Sequence, residues 1–246
     1  MTESLLRENH GALCILTLNR PEKLNALDTA LFERLDAQLG MLEQQQDLIG
    51  CVLLRGAGRS FCAGADLSAM SDSPRPAPTF KPQVIERLSR LPQPVIARIH
   101  GNCLTGGLEL ALAADIIIAS ESATFADTHG RWGLVGGWGM SQRLPRRIGA
   151  SQAKLMMMTS RRISAQEAAR IGLVDICVPD DRLDEEVRKL TDDILANSWH
   201  TNRETKRLLL ETDGLPLREG LAHEHYRFPG LAPDYKERIA SFNKKP

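Results

Sequence analysis

The sequence predicts a mixed α/β chain, a strand–turn–helix unit repeated into a short β/α spiral with a helical C-terminal appendage. Three stretches carry that expectation: residues 14–35 (CILTLNRPEKLNALDTALFERL), 51–70 (CVLLRGAGRSFCAGADLSAM) and 95–115 (VIARIHGNCLTGGLELALAAD). Each would expose an apolar edge that a neighbouring unit must cover, so the units are expected to stack. A doubly wound sheet fits the same periodicity and stays open as the alternative.

The elements follow in order. Residues 4–9 and 12–18 read as two strands about the turn Asn9-His10-Gly11. Residues 28–46 read as a helix capped by Asp28, with Leu31, Leu35, Leu39 and Leu42 on one face. An apolar strand at 49–54 leads to a turn at 55–60, and the Pro- and Ser-rich stretch 71–79 reads as a mobile loop. A helix at about 82–91, ended by Pro92 and Pro94, precedes a strand from Pro94. A glycine-led helix is expected over about 106–114, then a strand over 115–120. Ser164 and Glu167 form a capping box. Val174–Val178 reads as the last strand, and 181–197 and 203–212 as helices.

Composition excludes several classes. The 246 residues carry 31 basic and 31 acidic side chains, so nothing favours nucleic acid or an anionic membrane surface. The most apolar run, 108–119, is broken by Glu109 and Asp115 and is too short to span a bilayer. The first ten residues lack the basic and apolar regions of a signal peptide. Five cysteines without CxxC spacing read as buried free thiols, and the six histidines show no metal-ligand spacing. A cytoplasmic protein without a metal is expected.

Two glycine-centred segments carry the chemistry. In Cys103–Glu109, Gly106 and Gly107 precede an apolar helical run, whose first N–H groups have no internal partner. Glu109 lies one turn beyond Gly106, and helical side chains lean toward the N-terminus. Its carboxylate can therefore reach what Gly106 N–H binds, or serve only as a first-turn acid favoured by the helix dipole. In Phe61–Leu67, Ala65 N–H can likewise face a cleft.

Together these segments, with LNRPEKLNAL (18–27), WGMSQRLPRRIG (138–149) and ISAQEAARIGLVD (163–175), resemble the enoyl-CoA hydratase/isomerase (crotonase) superfamily over nearly the whole chain. The resemblance implies a ββα spiral core, 1–195, and a helical trimerisation region, 196–246, in a homotrimer or dimer of trimers. It implies an acyl-CoA thioester substrate, with coenzyme A carried by the substrate and no resident cofactor. Carried over by position, the oxyanion hole falls on the N–H groups of Ala65 and Gly106, and the first catalytic glutamate on Glu109. Contacts to the CoA moiety fall on Lys23, Leu24, Ala63, Ala65, Asp66, Leu67 and Gly106.

The pattern breaks at one point: the family's second glutamate aligns with His129. A histidine can exchange protons near neutrality, or it can be bonded into its loop. Asp127, two residues before, can orient the ring or cap the turn. Trp132, Trp138 and Met140 flank Gly136-Gly137, where the resemblance implies the border of the acyl pocket. Ordinary core packing is the other reading of these three. Three functions stay in view: a hydratase/isomerase-like enzyme using Glu109, a CoA-thioester decarboxylase or hydrolase on the same scaffold, and a catalytically silent acyl-CoA binder. Dehalogenation is disfavoured by Gly137, where the resemblance would require an aspartate.

Overall fold

The computed structural model describes residues 3–70 and 78–242. The stretch 71–79, expected as a mobile loop, lies outside the described residues apart from its last two positions.

Strands β1 (Leu5–His10) and β2 (Leu13–Leu18) pair antiparallel across Gly11. Helix α1 (Thr29–Gln44) starts where the Asp28 carboxylate accepts from Leu31 N–H at 2.8 Å. Its leucines 31, 35, 39 and 42 are fully buried, as the spacing requires. There follow β3 (Cys51–Gly56), α2 (Phe80–Ser89), β4 (Val95–Ile99), β5 (Asn102–Leu104), α3 (Gly106–Ala111), β6 (Ile116–Ser120) and β7 (Thr124–Ala126). Then come α4 (Met140–Ile148), α5 (Ala150–Thr159), β8 (Ile163–Ser164), α6 (Ala165–Arg170) and β9 (Ile176–Val178). The chain finishes in α7 (Leu183–Ala196), α8 (Trp199–Thr212), α9 (Leu217–Tyr226) and α10 (Tyr235–Phe242).

The main sheet has the order β1-β2-β3-β4-β6-β9, parallel from β2 onward. Its order advances in one direction and never reverses, which is a spiral and not a doubly wound sheet. A second layer, β5-β7-β8, is extended by the parallel bridges Leu27↔Ala65 and Cys62↔Cys103. Each turn of the spiral thus supplies one strand to the main sheet and one short segment to the second layer. Gly101 makes the corner between β4 and β5. Its φ is +57°, and a Cβ there would lie 2.1 Å from the Arg59 carbonyl oxygen.

Strand β3 shows why its sequence is a continuous apolar run. Val52 and Leu54 face the large core beneath α1, α2 and α3, whereas Cys51 and Leu53 pack with Leu183 and Val187 of α7. Both faces are covered, so alternation is lost. Helix α3 stops three residues earlier than expected. Ala113 and Ala114 N–H groups close onto Leu110 and Ala111, and Asp115 N–H is taken by Val95 to begin β6. Ser164 caps α6, yet Glu167 pairs with Arg161, so only half of the expected box forms. Four cysteines are buried and free, and Cys177 is free and half-buried.

Helix α8 is pinned to the sheet by a buried lysine. Lys206 Nζ reaches Asp115 Oδ2 at 2.7 Å and the Gln93 carbonyl at 3.1 Å. Helices α9 and α10 fall in the region 196–246 that the resemblance implies is helical, although no individual helix is read from the sequence beyond residue 212. His223 lies on α9 and pairs with Glu211 at 2.7 Å. No described helix is long and apolar enough to cross a membrane.

Candidate active site

The second layer delivers the two glycine segments to one place. In the Leu27↔Ala65 bridge, Leu27 bonds Gly64 C=O and Asp66 N–H, at 2.8 and 3.0 Å. Successive N–H groups of extended backbone point to opposite sides, so Ala65 N–H faces away from Leu27. Across from it, Thr105 precedes α3 with φ +51° and ψ −113°, a conformation that a β-branched residue adopts only under constraint. Thr105 N–H is held by the Ala126 carbonyl at 2.8 Å, and its hydroxyl shares a 2.5 Å hydrogen bond with Thr128. This strained corner aims Gly106 N–H at the same spot. A Cβ at Gly106 would lie 3.3 Å from Ala65 N. Among the described residues, neither Ala65 N–H nor Gly106 N–H has a protein acceptor. Two free donors this close can hold one anionic oxygen.

Glu109 is 1% exposed in α3. Its Oε1 accepts from the N–H groups of Trp138 and Met140, at 2.8 and 3.2 Å, at the start of α4. Its Oε2 lies 3.8 Å from His129 Nε2. Burial raises the Glu109 pKa against those two bonds and the neighbouring imidazole. His129 sits in a 3-10 turn after β7. Its Nδ1–H donates to Asp127 Oδ1 at 2.6 Å, and the same oxygen accepts from His129 N–H at 3.1 Å. Asp127 therefore does both things considered for it, capping the turn and orienting the ring. Burial pulls the His129 pKa down, but the Asp127 bond and the charges of Asp127 and Glu109 outweigh it, and the net direction is up. The arrangement is a buried proton acceptor beside an imidazole with a strengthened hold on its proton.

The residues expected at the CoA moiety also meet. Ala63 N–H donates to the Leu24 carbonyl at 3.0 Å, and Lys23 Nζ lies 3.2 Å from Asp66 Oδ2. Asp66 is further held by Arg20 Nη2 at 2.9 Å and by the Ser68 hydroxyl at 2.6 Å. Burial alone would raise its pKa; Ser68, Arg20 and Lys23 together force it well below the usual carboxylate range. The carboxylate thus fixes the loop through cations and is not itself free. Leu67 is 41% exposed.

The three large residues near Gly136-Gly137 separate. Trp138 lies over Gly106, where a Cβ would come 2.6 Å from Trp138 Cζ3. Met140 is fully buried in the core, and Trp132 is 60% exposed. Sequence reasoning missed Arg20, Thr105 and the backbone donors that hold Glu109. Only Gly139, with φ +114° just before α4, hinted at the last of these. Among the described residues no cluster of three His, Cys, Asp or Glu side chains could hold a metal.

On a spiral α/β core, two free N–H donors stand beside a buried acid and an imidazole, groups whose chemistry can serve an oxyanion and proton exchange. The comparisons with known proteins give the family. Residues 8–238 match the family model for enoyl-CoA hydratase/isomerase. A probable enoyl-CoA hydratase of Rhizobium meliloti is 36% identical, covering 99% of this chain and 96% of its own length. The 1,2-epoxyphenylacetyl-CoA isomerase of Escherichia coli is 32% identical, covering 100% and 97%. The crystal structure of enoyl-CoA hydratase from Bacillus anthracis superposes with a TM-score of 0.93 at 34% identity, covering 98% of this chain and 96% of that one. The chain belongs to the enoyl-CoA hydratase/isomerase family and is an acyl-CoA enzyme of the crotonase superfamily.

Proposed function

We propose that this enzyme binds an enoyl-CoA thioester with its carbonyl oxygen between the N–H groups of Ala65 and Gly106, and transfers protons at the carbons beside it. The observation that carries the reading is the convergence of those two unpaired donors within one helical turn of Glu109. Negative charge moving onto the thioester oxygen meets two preorganised dipoles, an arrangement in which each donor is worth about two to three orders of magnitude in rate. Glu109 is the proton acceptor. His129, whose hold on its proton Asp127 strengthens, is the donor that stands where the family's second glutamate aligns. The base is a stronger acceptor than a surface glutamate because it is buried, and the charges of Asp127 and Glu109 raise the pKa of the acid. Lys23, Leu24 and the Ala63–Leu67 loop hold the CoA moiety. The exposed Leu209, Leu217 and Leu221 on α8 and α9 support association into trimers through this region.

The test is turnover of crotonyl-CoA and of 3-enoyl-CoA thioesters, followed as hydration and as double-bond migration. Glu109→Gln is expected to lower kcat about 10²- to 10⁴-fold with little change in KM. Unchanged turnover in Glu109→Gln removes it from the chemistry. Tight acyl-CoA binding without turnover of any thioester returns the protein to the silent-binder reading.

A further inference from the structure

We propose that Lys81 makes this site selective for acyl groups that carry a carboxylate at the end distal to the thioester. The inference rests on the acyl-CoA reading above and deepens it to a substrate class.

Lys81 lies in the first turn of α2 and is half-buried. Its Nζ stands 5.5 Å from the centroid of Phe32 and 5.6 Å from that of Trp138. Those two rings pack edge to face with centroids 5.1 Å apart. The edge of Trp138 in turn covers Gly106. Ammonium, indole and the Gly106 backbone therefore follow one another in contact. A carbonyl held at Gly106 N–H has the ammonium one ring away, within reach of a short acyl chain.

Other cations of α2 are paired, Arg87 with Glu43 and Asp36, and Arg90 with Glu86. Among the described residues Lys81 has no ion pair with a carboxylate. Asp28 acts on it through space, but that carboxylate is engaged by Arg20 Nη1 at 3.1 Å and by Leu31 N–H. Burial lowers the Lys81 pKa, with Asp28 opposing. The aromatic rings offset part of that cost through their negative faces. A carboxylate from the ligand would offset the rest and gain a charge-assisted hydrogen bond. Phe32 is fully buried and Trp138 half-buried, so the ammonium is the charged element on this side of Gly106 that can distinguish one acyl terminus from another.

The test compares two unreactive thioesters by calorimetry, glutaryl-CoA and butyryl-CoA, with free CoA as reference. Wild-type protein is expected to bind glutaryl-CoA about ten- to hundredfold more tightly than butyryl-CoA, the range of one hydrogen bond between charged groups. Lys81→Met is expected to abolish that difference while leaving butyryl-CoA and free CoA within about threefold, and Lys81→Arg to retain it. Equal affinity of wild type for the two thioesters overturns the proposal and leaves the acyl-CoA reading standing. An equal loss for all three ligands in Lys81→Met assigns the lysine to the phosphates of CoA and also overturns it. Failure of every CoA species to bind wild-type protein overturns the acyl-CoA reading itself, and the proposal with it.

Discussion

Asp127→Asn removes the charge behind His129 while leaving a side chain of the same shape. The Asp127 carboxylate is 2% exposed and sits 2.6 Å from His129 Nδ1, so solvent screens little of the contact. A hydrogen bond between charged groups is worth about 1.5–3 kcal/mol. Its loss therefore changes the ratio of imidazolium to imidazole by about ten- to hundredfold. The sign follows from the two opposed influences on His129: without Asp127, burial prevails and the proton is held less firmly. The charge of Asp127 also raises Glu109, so the variant's glutamate ionises at lower pH. In a kcat/KM–pH profile for enoyl-CoA turnover, both limbs are expected to move to lower pH. The alkaline limb, set by loss of the imidazolium, moves furthest. On the alkaline limb the variant is about ten- to hundredfold slower, and the gap narrows on the acid side. An unchanged alkaline limb would refute His129 as the proton donor. A loss equal at every pH would reduce Asp127 to an orienting role.

Gly106→Ala is expected to cost about 10²–10³ in kcat, because its Cβ would stand 2.6 Å from Trp138 Cζ3 and 3.3 Å from Ala65 N; wild-type kinetics would exclude that spot as the carbonyl site. Asp66→Asn is expected to lower stability by about 1–3 kcal/mol at neutral pH, read by urea unfolding. Because the folded-state pKa of Asp66 is depressed, this stabilisation is present above the ordinary carboxylate value of about 4 and disappears as pH falls through the lower folded value; a gap that persists in strong acid would contradict it. Lys206→Met leaves the partly exposed Asp115 carboxylate without its cation and is expected to destabilise by about 1–3 kcal/mol, with the double variant Lys206→Met/Asp115→Asn recovering part of the loss; no recovery would mean that the lysine acts by packing alone.

The readable parts of the sequence were those in which function or packing is local. The Asp28 cap and the leucine stripe of α1 lie within one helix, and Glu109 follows Gly106 by a single turn. Asp127 and His129 are two residues apart, and their bond was foreseen as one of two roles. The second layer was not legible, because strands of two or three residues are too short to show alternation. Nor were contacts between distant residues: Trp138 N–H to Glu109, Lys81 over Trp138, and Lys206 to Asp115. Helices α9 and α10 carry mostly exposed side chains in this single chain, so the usual stripe that marks a buried face was missing.

The second layer also explains how the site tolerates a change of acid. The segment at 62–65, strand β5 and strand β7 run parallel in successive turns of the spiral. Their C-terminal ends deliver, one per turn, Ala65, Gly106 and the Asp127–His129 pair. The first two contribute backbone N–H groups, whose directions are set by Leu27 and by the constrained Thr105 and not by a side chain's chemistry. The third contributes side chains from a turn that leaves the sheet. On the proposed roles, a substitution at the third position alters proton transfer without moving the two N–H donors. In this chain it has replaced a single expected carboxylate by an imidazole with its own carboxylate behind it, 3.8 Å from Glu109. On those roles the binding half and the proton-transfer half of the site are mechanically separable. Variants at Asp127 should change pH dependence while leaving acyl-CoA affinity within about threefold, whereas Gly106→Ala should reduce both affinity and rate.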